Sequence, residues 1–152
     1  MSQIIKVLEH KQFKISFVES VTGGALAAYL VTQPSASLVF NESFVTYSNQ
    51  AKERFGATTP LINKYSVVSN EVVKQMVYGL KRLTDADVCV AITGNAGPEL
   101  QKDTKELVSY AAILINNELT IKEYKFEKKT KRTKVINLLV KLVFEDLEEL
   151  LK

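Results

Sequence analysis

Apolar residues recur along the first third of the chain at two different spacings, which predict helices and strands in alternation. Residues 2–11 carry apolar side chains at helical spacing. Residues 15–18 are a short apolar run typical of a buried strand, and residues 25–30 have the composition of a packed helix, with Thr22 as its predicted N-cap. That helix should end before Gln33-Pro34, because the residue ahead of a proline disfavours helical backbone.

The middle of the chain continues the alternation. Residues 38–47 are rich in β-branched and aromatic side chains, which fits one long strand or two short ones. A short helix is predicted over residues 48–55, followed by a loop around Pro60. Ser69 is the expected N-cap of a strongly amphipathic helix, whose buried stripe is Val72, Val73, Met76, Val77, Leu80 and Leu83.

The last third predicts three strands and one long helix. Residues 86–92 are continuously apolar, as in a strand buried on both faces. Residues 100–106 indicate an exposed loop, and two strands over 107–115 and 119–126 are typical of a hairpin. A helix should run from about residue 130 to residue 151. Strands alternating with helices predict one α/β domain over residues 1–152, a three-layer α/β/α sandwich with a mostly buried mixed sheet.

The amino-acid composition argues against several classes of protein and of binding site. A chain of 152 residues with 46% apolar and 24% charged residues has the balance of one compact domain. The net charge of +3 is too small to favour nucleic acid as a partner. With one cysteine (Cys89) and one histidine (His10), a disulfide framework is excluded and a zinc site is not expected. Neither a signal-peptide core nor a membrane-spanning apolar run occurs, so we expect a cytoplasmic protein.

Two turns that follow apolar runs carry the candidate chemistry. Ser20 lies where the first predicted strand meets a turn containing Thr22, Gly23 and Gly24. A helix N-terminus behind such a turn offers N–H groups to an anion, and ligands gather at the carboxyl ends of parallel strands. The second turn contains Thr93 and Gly94, and the two turns should share one edge of the sheet. The alternative for the first turn is a glycine turn in which Ser20 only caps the backbone.

Polar clusters at the ends of the predicted elements also follow a family pattern in order and spacing. They are ESVTGG from residue 19, SAS from residue 35, YSNQAK from residue 47, VVS from residue 67 and TGNAGP from residue 93. Together they resemble the CinA C-terminal domain family, the nicotinamide-nucleotide amidases, whose pattern runs ESCTGG, GSS, YSNxxK, AVS and TGIAGP. The similarity extends from about residue 14 to residue 134.

The resemblance implies hydrolysis of the carboxamide of nicotinamide mononucleotide to nicotinic acid mononucleotide and ammonia. It implies neither a metal nor a cofactor, and its only partner is the small nucleotide substrate. No membrane partner is expected, nucleic acid is disfavoured, and the oligomeric state stays open, a homo-oligomer included. By matching position, the family's catalytic residues fall on Ser20, Ser37, Tyr47, Lys52 and Thr93.

The residue types agree with amide hydrolysis on separate grounds. A hydrolase without a usable histidine, metal site or reactive cysteine needs another base, and a lysine of lowered pKa can serve. We expect Lys52 to be this base and either Ser20 or Ser37 to be the nucleophile, with the other serine, Tyr47 and Thr93 holding the carboxamide and its oxyanion. Without the family pattern, Lys52 would be read as a solvated lysine on a short helix.

Departures from the pattern suggest where the substrate phosphate binds. The family's GDR segment, whose arginine belongs to the site, aligns with Lys128-Lys129-Thr130, so that arginine is missing from this alignment. Lys128, Lys129 and Arg132 surround the start of the last helix, and we expect this cluster to bind the phosphate instead. The alternative is a solvated lysine-rich loop without a ligand. Asn95 also departs from the pattern, because a small apolar residue is usual there.

Two other functions remain open. The chain could bind a pyridine nucleotide as a regulatory module without hydrolysing it, or touch nucleic acid through its basic residues between 122 and 134.

Overall fold

The computed structural model describes residues 3–100 and 106–152 and contains one five-stranded mixed sheet. Its strands are β1 (Ile15–Glu19), β2 (Phe40–Val45), β3 (Val88–Gly94), β4 (Leu107–Ile115) and β5 (Glu118–Phe126). They lie in the order β2-β1-β3-β4-β5. The first three strands are parallel, whereas β4 and β5 are antiparallel to their neighbours.

In the described part of the chain, six helices cover the two faces of this sheet. They are α1 (Gln3–Lys11), α2 (Ala25–Val31), α3 (Asn49–Glu53), α4 (Thr59–Tyr65), α5 (Asn70–Thr84) and α6 (Arg132–Leu150), and a short 3₁₀ turn spans Ala36–Leu38. Side chains from α1, α2 and α6 share one apolar core with the sheet. Those from α4 and α5, with Phe55, share a second core on the opposite face. The predicted three-layer α/β/α sandwich is therefore confirmed.

Strand β3 shows why the sheet is mostly buried. Its side chains alternate between the two cores, with Val88, Val90 and Ile92 on one face and Cys89 and Ala91 on the other. A strand covered on both faces reads as a continuous apolar run rather than an alternating one. Among the described residues, no helix combines the length and apolar composition needed to cross a bilayer.

Some element boundaries differ from the sequence prediction. The loop expected around Pro60 contains helix α4, whose N-cap Thr58 accepts a hydrogen bond from Leu61 N at 3.3 Å. Strand β3 begins and ends two residues later than expected, so Thr93 and Gly94 belong to the strand itself. Part of the predicted loop over residues 100–106 lies outside the described residues.

The prediction of Thr22 as the N-cap of α2 was wrong. A buried glutamate carboxylate, and not the Thr22 hydroxyl, accepts the hydrogen bonds at the start of this helix. The cap position is Gly24, in left-handed backbone at φ 102°. The Glu19 carboxylate accepts hydrogen bonds from Leu26 N at 2.8 Å, Ala27 N at 3.1 Å and Thr22 Oγ1 at 2.6 Å. The carboxylate therefore occupies the N–H groups at the start of α2, which the sequence analysis had left for an anion.

We predict that Glu19→Ala lowers the free energy of unfolding by at least about 2 kcal/mol, because two buried N–H groups lose their acceptor. Denaturant titration measures this change. Glu42→Ala is the matched control, since Glu42 is an exposed glutamate on β2 and should alter stability by less than about 0.5 kcal/mol. Equal effects of the two substitutions would contradict the role assigned to Glu19.

Candidate active site

The parallel strands bring the two predicted turns to one edge of the sheet. Glu19 at the end of β1 pairs with Ile92 of β3, and Ser20 N donates to Ile92 O at 3.1 Å. Ser20 and Thr93 therefore lie side by side, and a cavity of about 440 Å³ opens there. Of the predicted site residues, six line it, namely Ser20, Tyr47, Lys52, Thr93, Gly94 and Arg132.

Strand β2 supplies the next side of the cavity, because it runs parallel to β1 and ends at the same edge. Thr46 N donates to Glu19 O at 2.7 Å, which holds the chain beside β1 for one residue beyond β2. Ser48 then caps α3 by accepting a hydrogen bond from Ala51 N at 3.1 Å. This tight turn brings Lys52 back over the strand end and next to Tyr47.

Lys52 is the most unusual group in the cavity wall. Its side chain is only 2% exposed, and Nζ donates to Tyr47 O at 3.1 Å. Among the described ion pairs, none involves Lys52. Burial lowers the pKa of Lys52 from 10.5 to about 8, because the charged form loses its hydration. The reading of Lys52 as a solvated surface lysine is therefore wrong.

Thr93 and Gly94 form the floor of the cavity. Thr93 is buried, and its Oγ1 donates to Val67 O at 3.0 Å, so this hydroxyl proton is already used in holding the segment before α5. Gly94 lies against Ser109 of β4, where a Cβ atom would approach Ser109 Oγ to 1.9 Å. Only glycine fits at this position. Packing against β4 therefore explains why residue 94 is glycine, and a contact with a ligand is not needed to explain it.

Arg132 closes the opposite side of the cavity. It is the first residue of α6, and its guanidinium donates from one nitrogen to Gly97 O at 2.6 Å and from the other to Tyr47 Oη at 2.9 Å. Tyr47 is thus tied to Arg132. The site does contain an arginine, although the alignment of the GDR segment with residues 128–130 had suggested that it was missing.

The neighbouring lysines of the predicted phosphate cluster do not line the cavity. Lys128 and Lys129 are exposed, and Lys129 Nζ lies 3.8 Å from a carboxylate oxygen of Glu127. They occupy the connection between β5 and α6, whereas Arg132 is already on the helix. The prediction that all three residues share one site is therefore wrong for both lysines.

The same basic segment is partly neutralised by carboxylates. Lys122 lies 3.3 Å from Asp146, and Lys125 lies near both Glu106 and Glu123. Such pairing leaves fewer free cations than the sequence of this segment suggests.

Ser37 does not join the cavity within one copy of the chain. It is exposed on the 3₁₀ turn before β2. Phe40, the first residue of β2, pairs with Ile15, the first residue of β1. Ser37 therefore lies at the amino ends of the parallel strands, whereas Ser20 lies at their carboxyl ends. The chain returns to the amino end of the sheet after α2 before it enters β2. The prediction that the two serines converge is wrong for a single chain.

Thr22, Gly23 and Gly24 also lie outside the cavity wall. Gly23 N donates to Ser20 O at 3.0 Å, and Thr22 Oγ1 is bound to Glu19, so the turn is stabilised by its own contacts. These residues shape the backbone that presents Ser20, and their predicted role in substrate binding stays a prediction.

Asn95 was noted in the sequence only as a departure from the family pattern. It lines the cavity, is 6% exposed, and its Oδ1 accepts a hydrogen bond from Gly97 N at 2.8 Å. A polar residue where the pattern has an apolar one was the signal that could have drawn attention to it.

Comparison with known proteins agrees with this architecture. The model of the CinA C-terminal domain matches residues 1–151. A CinA-like protein of Petrotoga mobilis is 42% identical over 117 residues, which are 76% of this chain and 29% of that protein. A putative competence-damage inducible protein of Alkaliphilus oremlandii is 38% identical over 79% of this chain and 30% of its own length. The chain thus spans about a third or less of these relatives.

Solved structures of similar length share the fold. The competence/damage inducible protein CihA from Agrobacterium tumefaciens superimposes with a TM-score of 0.92 at 29% identity, covering 99% of this chain and 92% of that one. A competence-damaged protein (CinA) superfamily protein from Escherichia coli gives a TM-score of 0.86 at 26% identity, with coverage of 99% and 92%. The match over nearly the whole sequence shows that this chain belongs to the CinA C-terminal domain family.

Proposed function

We propose that this protein hydrolyses the carboxamide of nicotinamide mononucleotide to nicotinic acid mononucleotide and ammonia. The observation that carries the proposal is the amine of Lys52, which is buried in the same cavity as the Ser20 hydroxyl and has no counter-ion among the described ion pairs. A desolvated lysine that shares a cavity with a serine can act as the base for that nucleophile. The resemblance to the nicotinamide-nucleotide amidases supports the choice of substrate.

In the first half of the reaction, Ser20 Oγ attacks the carboxamide carbon while the neutral Lys52 amine accepts the hydroxyl proton. The C–O bond forms as the carbonyl electrons move to oxygen, giving a tetrahedral intermediate. When this intermediate collapses, the C–N bond breaks and Lys52 returns the proton to the leaving nitrogen, which departs as ammonia. Ser20 is then esterified by the nicotinate group.

In the second half of the reaction, a water molecule hydrolyses the Ser20 ester after ammonia has left. Lys52 accepts a proton from water, the resulting hydroxide attacks the ester carbon, and Ser20 Oγ leaves with the proton held by Lys52. One water is consumed and one ammonia is released, so the atoms balance. A pKa of about 8 suits both halves, because the same amine must accept and donate a proton near neutral pH.

Arg132 is suited to the anionic end of the substrate. Its guanidinium uses two contacts, to Gly97 O and Tyr47 Oη, and its charge has no carboxylate partner among the described ion pairs. A guanidinium held in this way offers its remaining N–H groups to a phosphate. Moving the family alignment by two residues also brings Arg132 onto the arginine of the GDR segment, and Val135, the first buried residue of α6, follows three positions later.

Tyr47 takes a different role from the one expected for it. Its hydroxyl accepts from Arg132, and its backbone carbonyl accepts from Lys52, so it connects the base to the anion site. We infer that Tyr47 positions both cations rather than binding the carboxamide oxygen.

Ammonia release from nicotinamide mononucleotide by the purified protein tests the proposal. We predict that Lys52→Met reduces kcat/KM by ~10²–10⁴-fold, because a positioned base contributes about that much. The fold should be retained, since methionine replaces a buried amine, whose one described hydrogen bond is to Tyr47 O, with an apolar side chain of similar length.

Lys74→Met is the matched control, because Lys74 is an exposed lysine on α5 and lies far outside the cavity wall. It should retain the wild-type rate. Substantial activity in Lys52→Met, above about a tenth of wild type, rules out Lys52 as the base. Tight binding of the nucleotide by the wild-type protein without ammonia release would instead identify a nucleotide-binding module.

We also predict that Arg132→Gln weakens binding of nicotinamide mononucleotide by about 10- to 100-fold, because hydrogen bonds to a charged group are lost. Binding of nicotinamide riboside, which lacks the phosphate, should change by less than about threefold. Isothermal titration calorimetry on each ligand gives both numbers.

Lys129→Gln removes an equal charge near the same helix terminus but outside the cavity, and it should leave both affinities nearly unchanged. If Lys129→Gln is as damaging as Arg132→Gln, the phosphate is attracted by the whole basic segment and the specific contact is absent.

A further inference from the structure

Asn95 carries a buried hydrogen-bond donor that has no partner among residues 3–100 and 106–152. This donor is the side-chain nitrogen Nδ2, which is inaccessible to solvent, although the residue lines the cavity and is 6% exposed. A buried donor left without an acceptor costs about 1–3 kcal/mol, and such groups in native proteins usually have a reason.

The orientation of this amide follows from its neighbour. Gly97 N donates to Asn95 Oδ1 at 2.8 Å, and only the oxygen end of an amide can accept that bond. The Asn95 backbone N–H is also in use, because it donates to Val108 O at 3.0 Å. Nδ2 is therefore the end of Asn95 that is left for another acceptor.

The position of Gly97 places this donor at the Arg132 end of the cavity. The N–H of Gly97 is bound by Asn95, and the carbonyl of the same residue is bound by the Arg132 guanidinium at 2.6 Å. One glycine thus connects the two side chains. The Ser20 and Lys52 pair, by contrast, lies at the ends of β1 and β2.

The start of α6 favours the same kind of ligand. Lys131, the N-cap residue, makes no side-chain cap hydrogen bond, and the first turn of the helix contains no acidic residue. Helix N-termini are stabilised by negative charge, so a cationic and uncapped first turn is unfavourable until an anion approaches it. This observation supports the argument from Asn95 and does not replace it.

We propose that Asn95 Nδ2 and the Arg132 guanidinium bind the substrate phosphate together, so that Asn95 determines specificity for phosphorylated over unphosphorylated pyridine nucleosides. For Nδ2 to reach the phosphate, the Asn95 side chain has to turn toward the cavity when the ligand binds, and this movement weakens the contact of Oδ1 with Gly97 N. The inference rests on the proposed function for the identity of the ligand. It goes further in assigning a second phosphate donor at a position where the family pattern has an apolar residue.

Calorimetric titrations of two ligand pairs test the assignment. The pairs are nicotinamide mononucleotide with nicotinamide riboside, and adenosine 5′-monophosphate with adenosine. In Asn95→Ala, which removes the donor without adding charge, we expect the phosphorylated member of a bound pair to bind about 5- to 30-fold more weakly. The unphosphorylated member should change by less than about twofold.

A double-mutant cycle separates direct contact from an effect through Arg132. If Asn95 only positions Gly97 and hence Arg132, Asn95→Ala should cause no further loss once Arg132→Gln is present. A direct donor instead predicts a further loss of at least about threefold in that background. Absence of this second loss overturns the inference.

Three more results would overturn it. The first is an equal loss for the phosphorylated and unphosphorylated ligands, and the second is no loss at all, as expected if buried water alone satisfies Nδ2. The third is failure of the wild-type protein to bind any of the 5′-nucleotides. Lack of ammonia release with normal nucleotide binding contradicts only the proposed function, because these titrations do not depend on turnover.

Discussion

The amine of Lys52 is removed from water, and no carboxylate of the described part of the chain neutralises it. The candidate site depends on this unfavourable burial. The lowered pKa, from 10.5 to about 8, corresponds to about 3 kcal/mol of lost preference for the charged form. The fold can hold the amine there because β1, β2 and β3 end at one edge, where the Tyr47 carbonyl is the group that accepts its hydrogen bond. A lysine of this kind can exchange a proton near neutral pH, which a solvated lysine does poorly.

The buried Glu19 carboxylate determines which groups are left for a ligand. By accepting hydrogen bonds from the N–H groups of Leu26 and Ala27, it removes the start of α2 as an anion site and leaves the neighbouring turn to present Ser20. Among the described residues that line the cavity, the cationic side chains are those of Lys52 and Arg132, which both contact Tyr47. The proposed division of labour follows, with proton transfer at Lys52 and phosphate recognition at Arg132.

The sequence predicted the layers of the fold because its apolar periods are strong, above all in α5 and β3. It also brought Ser20, Lys52 and Thr93 together, since parallel strands align their carboxyl ends. Long-range geometry was harder to predict. Ser37 was misplaced because sequence order does not show which end of the sheet the chain reaches after α2. Lys128 and Lys129 were grouped with Arg132 because spacing does not show where α6 begins.

The titration of Lys52 itself tests the central claim most directly. In protein labelled with ¹³C at the lysine ε-carbons, the NMR signal that disappears in the Lys52→Met variant reports the charge on this amine. The account predicts that this signal titrates with a midpoint near pH 8 in the unliganded protein. A midpoint near the ordinary lysine pKa of 10.5 would show that the amine is solvated and would contradict the proposed base.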